Sequence, residues 1–102
     1  MTNKNMQQLL AQANKMKRDL ARKMKELHEK EFTVTKGGGV KVVMLGNKEI
    51  VKIAIDEELF DLENKEMVET LLIMAVNECR EVIDKEEAEI NESVTGSSTG
   101  FF

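Results

Sequence analysis

Four basic side chains stand at spacings of 3, 4 and 3 early in the chain: Lys15, Arg18, Arg22 and Lys25. On a helix, at about 100° per residue, they fall in one row. Long cationic side chains at such steps can meet successive phosphates of a polyanion, contacts that position a duplex while carrying little sequence information. Asp19 and Glu26 are the only acids close to the row. Gln12 and Asn14 lie near enough to touch a groove edge, although a solvated polar face is the simpler role for both.

Other residue types that could do chemistry are scarce. His28 and Cys79 are the only His and Cys, so one chain cannot assemble a metal cluster of several His or Cys ligands. Cys79 falls on the apolar face of its segment and reads as a buried core thiol. His28, near a helix end, reads as a solvated or capping side chain. The run Gly37-Gly38-Gly39 has no following Gly-Lys-Ser/Thr and precedes a strand, so it reads as a turn rather than a phosphate loop. Asp56, Glu57, Glu58 and Asp61 do not have Ca²⁺-loop spacing and suit a solvated helix start. No catalytic residue, metal ligand or cofactor is expected, and the chain does not read as an enzyme.

The 102 residues suit one domain. Four Phe are the only aromatics, too few for a platform on which bases or sugars stack. Seven Met and no Pro favour long helices with adaptable apolar faces. A single Cys excludes an internal disulfide and fits a reducing compartment. No apolar run approaches the roughly 18 residues of a bilayer span, and Met1 to Gln8 is too polar for a signal peptide. The expectation is a cytoplasmic protein without a membrane partner. Its net charge of −4 conceals opposite halves. Residues 1–30 carry eight basic and three acidic side chains, residues 31–55 four and two, and residues 56–102 three and fourteen. Two readings stand: a basic helix packed beside an acidic one, or a basic end that meets a polyanion.

Those side chains need elements to hold them. Residues 5–30 contain Met6, Leu9, Leu10, Ala13, Met16, Leu20, Met24 and Leu27 at three- and four-residue spacings, which predicts an amphipathic helix with the basic row opposite the apolar stripe. The period then shifts to two. Phe32 and Val34, the run Val40 to Leu45, and Val51, Ile53 and Ile55 predict three strands joined by the glycine turn and a Gly46-Asn47 turn, an antiparallel meander. Val51, Ile53 and Ile55 are expected on one face. Such a meander leaves edges that need cover. A short helix follows at Asp56 to Phe60. Then comes a long C-terminal helix, capped by Asp61 or Asn64, that buries Val68, Leu71, Leu72, Ala75, Val76, Cys79, Val82 and Ile83. The fold class is α+β in the order α-β-β-β-α, with one domain over residues 1–92 and a flexible C-terminal tail over 93–102 that ends in two Phe.

In this order the segments resemble the YbaB/EbfC family of bacterial nucleoid-associated DNA-binding proteins. The resemblance runs from about Met6 to Ile90. It is carried by Met6-Gln7-Gln8-Leu9-Leu10 with Lys15-Met16, by Gly37-Gly38-Gly39-Val40-Lys41-Val42, by Ile55-Asp56 leading to Leu59, and above all by Asn64-Lys65-Glu66-Met67-Val68-Glu69 with Ala75-Val76-Asn77. The chain departs from common members in Asp61-Leu62-Glu63, where many carry Asp-Pro-Glu, and in its tail. The resemblance implies a tweezer-like homodimer whose sheets join. It also implies double-stranded DNA as partner, a nucleoid location with a role in nucleoid organisation or gene regulation and, by genomic context, recombination or repair proteins as further partners. A dimeric protein–protein adaptor, acting through the acidic helix or the Phe-ended tail, is the alternative.

Overall fold

Twenty-eight residues with a single β-branched side chain, Thr2, form helix α1 (Thr2–Glu29). Three strands follow, β1 (Glu31–Lys36), β2 (Val40–Leu45) and β3 (Ile50–Ile55), then two one-turn 3-10 helices (Glu57–Leu59 and Leu62–Asn64) and helix α2 (Lys65–Thr95). The structure, a computed structural model, describes residues 2–95, with side chains from Lys4 to Val94. The sheet is the antiparallel meander expected, in the order β1-β2-β3.

Helix α2 packs chiefly on β1 and β2. Its fully buried residues are Ala75, Cys79 and Ile83, set against Phe32, Val42 and Met44, with Leu27 of α1 closing one side. Two of the three are small, which lets the helix axis come close to the strands and leaves little void between them. The Cys79 sulfur lies 3.9 Å from the carbonyl oxygens of both Phe32 and Val42. Burial, reinforced by the neighbouring Glu78 charge, pushes its thiol pKa up, so the group is a neutral core side chain and a poor nucleophile. Val82 departs from the expected buried face and is 44% exposed. It follows Cys79 by three residues, about 60° round the helix, and so lands at the margin of the contact.

The strand alternation is interrupted at one point. Val43 pairs with Lys52 but Met44 pairs with Ile50, so Val51 has no counterpart on β2. This bulge breaks the single face expected for Val51, Ile53 and Ile55. Ile53 and Ile55, opposite Val42 and Val40, stay on the α2 side of the sheet. Ile53 is nevertheless 46% exposed, because α2 covers the other two strands.

The two turns use their glycines differently. Gly37 and Gly38 adopt φ of 60° and 71° in the β1–β2 turn, backbone that side chains disfavour. In the β2–β3 turn the left-handed residue is Lys48, with φ 73°, while Asn47 Oδ1 accepts a 2.8 Å bond from Glu49 N–H. Gly46 is there for space. A methyl group on it would overlap the Leu27 carbonyl, and its N–H donates to Lys30 O at 2.9 Å. The C-terminal end of α1 is thereby clamped to the hairpin.

Three local expectations change. The short element expected at Asp56 to Phe60 is a 3-10 turn at Glu57–Leu59, and a second, unexpected one follows at Leu62–Asn64. Asp56 caps the first by accepting from Glu58 N–H at 3.4 Å, whereas Asp61 precedes the second without a side-chain capping bond. Helix α2 continues through Thr95, so residues 93–95 are helical and not tail. Ser93 is held there by donating to Ile90 O at 2.9 Å and accepting from Lys23 Nζ at 3.3 Å. The remainder of the expected tail, with both terminal Phe, lies outside the described residues.

Two outcomes follow from this packing. Gly46→Ala should destabilise the fold by about 1–3 kcal/mol through the forced shift of α1, read as a lower denaturant midpoint; an unchanged midpoint would show that α1 is not clamped there. Cys79→Ala should cost about 1 kcal/mol or more. In the unmutated chain stability should also decline as pH rises beyond the thiol range near 8.5–9, because the unfolded thiol ionises while the folded one, with its raised pKa, keeps its proton. A Cys79→Ala chain that kept the same alkaline decline would assign it to another group.

Candidate nucleic-acid interface

The register of α1 against α2 decides where the basic row sits. Lys30 Nζ meets Glu86 Oε1 at 2.8 Å and Lys23 Nζ meets Ser93 Oγ at 3.3 Å, so the helices run antiparallel and the C-terminal end of α2 lies beside Ala21 or so. From there to Thr2, α1 has no helical neighbour among the described residues, a projecting arm of about 28 Å. Arg18 and Lys15 lie on this arm, and Arg22 and Lys25 lie beside α2 on the opposite face.

All four side chains of the row are exposed. Lys25 and Lys15 are ten residues apart, about 15 Å along the axis, which matches roughly four phosphate steps of 3.4 Å along one strand. Arg22 makes one contact, a 3.7 Å pair with Asp19 on its own helix, and keeps 62% of its side chain exposed. Among the described residues no ion pair joins the row to α2. Glu78 of α2 instead binds Lys36 at 3.0 Å.

The cations that α2 does engage come from elsewhere. Lys30 pairs with Glu86 at 2.8 Å, Lys36 with Glu78 at 3.0 Å and Lys48 with Asp84 at 2.6 Å. Lys30 also lies 5.1 Å from the Phe32 ring centroid. These partly exposed pairs contribute little stability individually. Their effect is to divide the basic residues: Lys30, Lys36 and Lys48 face acids of α2, while Lys15, Arg18, Arg22 and Lys25 face water.

One member of the row was missed in the sequence. Lys4 stands eleven residues before Lys15, three turns and within about 20° of the same line, and is exposed. The intervening turns hold Gln7, Gln8 and Ala11 in place of cations, which hid it. Lys41 and Lys52 form a second basic pair on the sheet face away from α2, since their pairing partners, Ala54 and Val43, alternate with the covered residues. Among the described residues no group of three or more His, Cys, Asp or Glu gathers to hold a metal, and no helix is long and apolar enough to cross a membrane.

Comparison with known proteins meets this geometry. A crystal structure of an uncharacterized protein, HP0035 from Helicobacter pylori, has the same fold, with a TM-score of 0.72 over 87% of this chain and 95% of that one at 24% identity. A nucleoid-associated protein of Mycoplasmopsis pulmonis is 41% identical over 101 residues, 99% of this chain and all of that protein. Another, from Lachnoclostridium phytofermentans, is 36% identical over 98 residues, 95% of this chain and 82% of its own length. The model of the YbaB/EbfC DNA-binding family matches residues 2–98. With a match over almost its whole length, and relatives named for the nucleoid, the chain belongs to the YbaB/EbfC family of nucleoid-associated DNA-binding proteins.

Proposed function

We propose that the chain binds double-stranded DNA as a homodimer, largely through phosphate contacts from Lys15, Arg18, Arg22 and Lys25 of each α1, and serves nucleoid organisation or gene regulation in the cytoplasm. The observation that carries this is the unpaired state of the row toward α2, in a molecule whose other half is strongly acidic. A polyanion approaching such a dipolar protein is drawn to the arms and repelled from α2. The adaptor reading is weaker, because Glu78, Asp84 and Glu86 of the acidic helix already hold lysines of their own chain.

Dimerisation is supported by what β3 leaves uncovered. It is an edge strand, and Ile50, Val51 and Ile53 are 43%, 46% and 46% exposed. The Lys36–Glu78 pair marks the flank of α2 above β1. Ile73, 62% exposed and about 140° round the helix from Glu78, therefore lies on the flank toward β3. An edge with free backbone groups beside an apolar patch suits sheet-to-sheet pairing with a second copy. Joining two copies this way gives the dimer two basic arms, the tweezer geometry.

Sedimentation equilibrium at micromolar concentration should return twice the chain mass, and Ile53→Lys should give a folded monomer; a monomeric unmutated chain would remove the dimer and the tweezer together. For DNA, the chain carrying both Arg18→Ala and Arg22→Ala should bind every duplex more weakly and with a shallower salt slope, at an unchanged melting temperature. Lys36→Ala, which removes a cation already paired with α2, should leave affinity nearly as it was. Full affinity in the double-arginine variant would make the row a solvated surface and move the DNA contact elsewhere.

A further inference from the structure

The apolar stripe of α1 continues past the end of α2 with no helix of the described residues against it. Met6, Leu9 and Leu10 are 63%, 65% and 61% exposed and Met16 is 37% exposed, whereas Leu27 is buried. Met6, Leu9, Ala13, Met16 and Leu20 keep alternating steps of three and four, the repeat of a seam that faces a second helix. The surroundings of this stripe differ from the rest of the surface. Asn5 to Asn14 are ten consecutive residues without a charge, in a chain that is 33% charged. Elsewhere the exposed apolar surface has charged neighbours. Ile73, Met74 and Val82 of α2 stand within a turn of Glu69, Glu78 and Glu81. The groove of Ile55, Phe60 and Leu62 is lined also by Asp61, Lys65 and Glu69. A partner that matches the arm tip must be uncharged there too, because a charge buried on it would find no counter-charge. Among the described residues, the apolar helical face that meets this requirement is the arm's own.

We propose that the α1 arms of two copies pair antiparallel along this stripe, Met6 of one against Met16 of the other and Leu9 against Ala13. The extents agree. In that register Thr2 lies level with Leu20 of the second copy, next to the Ala21 level at which α2 ends. The pairing therefore spans the uncovered part of each arm and stops where α2 takes over. The flanks are self-complementary. About the two-fold axis Leu10 meets Leu10 on one side and Gln12 meets Gln12 on the other, apolar against apolar and amide against amide. Like charges stay apart. Lys17 of one copy is level with Asn5 of the other, so the two Lys17 lie about 18 Å apart along the axis, nearly twice the Debye length of about 10 Å at 0.1 M salt. A parallel pairing would set both basic rows at the same level. The row lies on the far side of each helix from the stripe, so paired arms keep Lys15 and Arg18 outward on opposite sides. Where those rows bind DNA as proposed above, one such pair joins two duplexes. The pairing itself rests on neither the DNA reading nor the β3 dimer.

So few side chains make a contact at the small end of interfaces, below about 1,200 Å², and its association should be weak. Sedimentation equilibrium of the full chain, from about 10 µM to about 1 mM, should show the apparent mass doubling. When Leu9→Gln and Leu10→Gln are introduced together, at exposed positions outside the core, the melting temperature should be unchanged and the doubling lost. Equal masses for the two chains at every concentration would overturn the proposal. The dilute end is read separately: two chains there is the β3 dimer, and one chain there removes that dimer without touching the doubling. Orientation is tested with a short bis-maleimide, to which the buried Cys79 is closed. The reagent should join copies through Gln12→Cys and not through Lys4→Cys, whose sites lie about 21 Å apart along the axis. Joining at position 4 and not at position 12 would overturn the antiparallel register.

Discussion

Everything in this molecule depends on how closely α2 sits on β1 and β2. Ala75 and Cys79 keep the helix near the strands, Ile83 extends the contact, and Phe32, Val42 and Met44 fill the facing surface. A larger residue at position 75 or 79 would lift the helix and disturb the layer beneath it. Because this core is only one helix wide, it covers two strands of three and has nothing left for the far half of α1. The uncovered β3 edge and the projecting arm are consequences of one small core.

The same seating sorts the charges. With α2 fixed over β1 and β2, its acids reach Lys30, Lys36 and Lys48 at the hairpins and at the end of α1. The clamp of Leu27 on Gly46 sets the direction in which α1 leaves the sheet, and that direction carries Lys15 and Arg18 past the end of the acidic helix. A net charge of −4 is therefore compatible with a strongly positive arm. For a polyanionic partner the distribution matters more than the sum.

Much of this was legible in the sequence because it depends on local periodicity. Uninterrupted three- and four-residue spacing wrote both helices, and alternation around glycine turns wrote the three strands and their antiparallel order. What was hidden depends on contacts between distant segments. Gly46 looks like turn chemistry, yet the left-handed position belongs to Lys48, and the glycine is required by a carbonyl of α1 nineteen residues earlier. The bulge at Val51 needs the register of β2 to be seen. Ser93 and Thr95 suggest a tail by composition, but α2 is prolonged by bonds that Ser93 makes to Ile90 and Lys23. The basic row could be drawn on a helical wheel. Whether it met the acidic helix or water could not, since that rests on the 30-to-86 register between the helices.

In the binding mode proposed above, DNA meets the outward row of α1 and avoids the acidic helix. Backbone amide resonances followed during titration with a short duplex test it residue by residue. Shifts should concentrate between Lys15 and Lys25 and fade as salt is raised, with the Glu81–Glu92 stretch of α2 nearly unmoved. Shifts centred on the sheet face of Lys41 and Lys52 or on α2, with α1 silent, would contradict it.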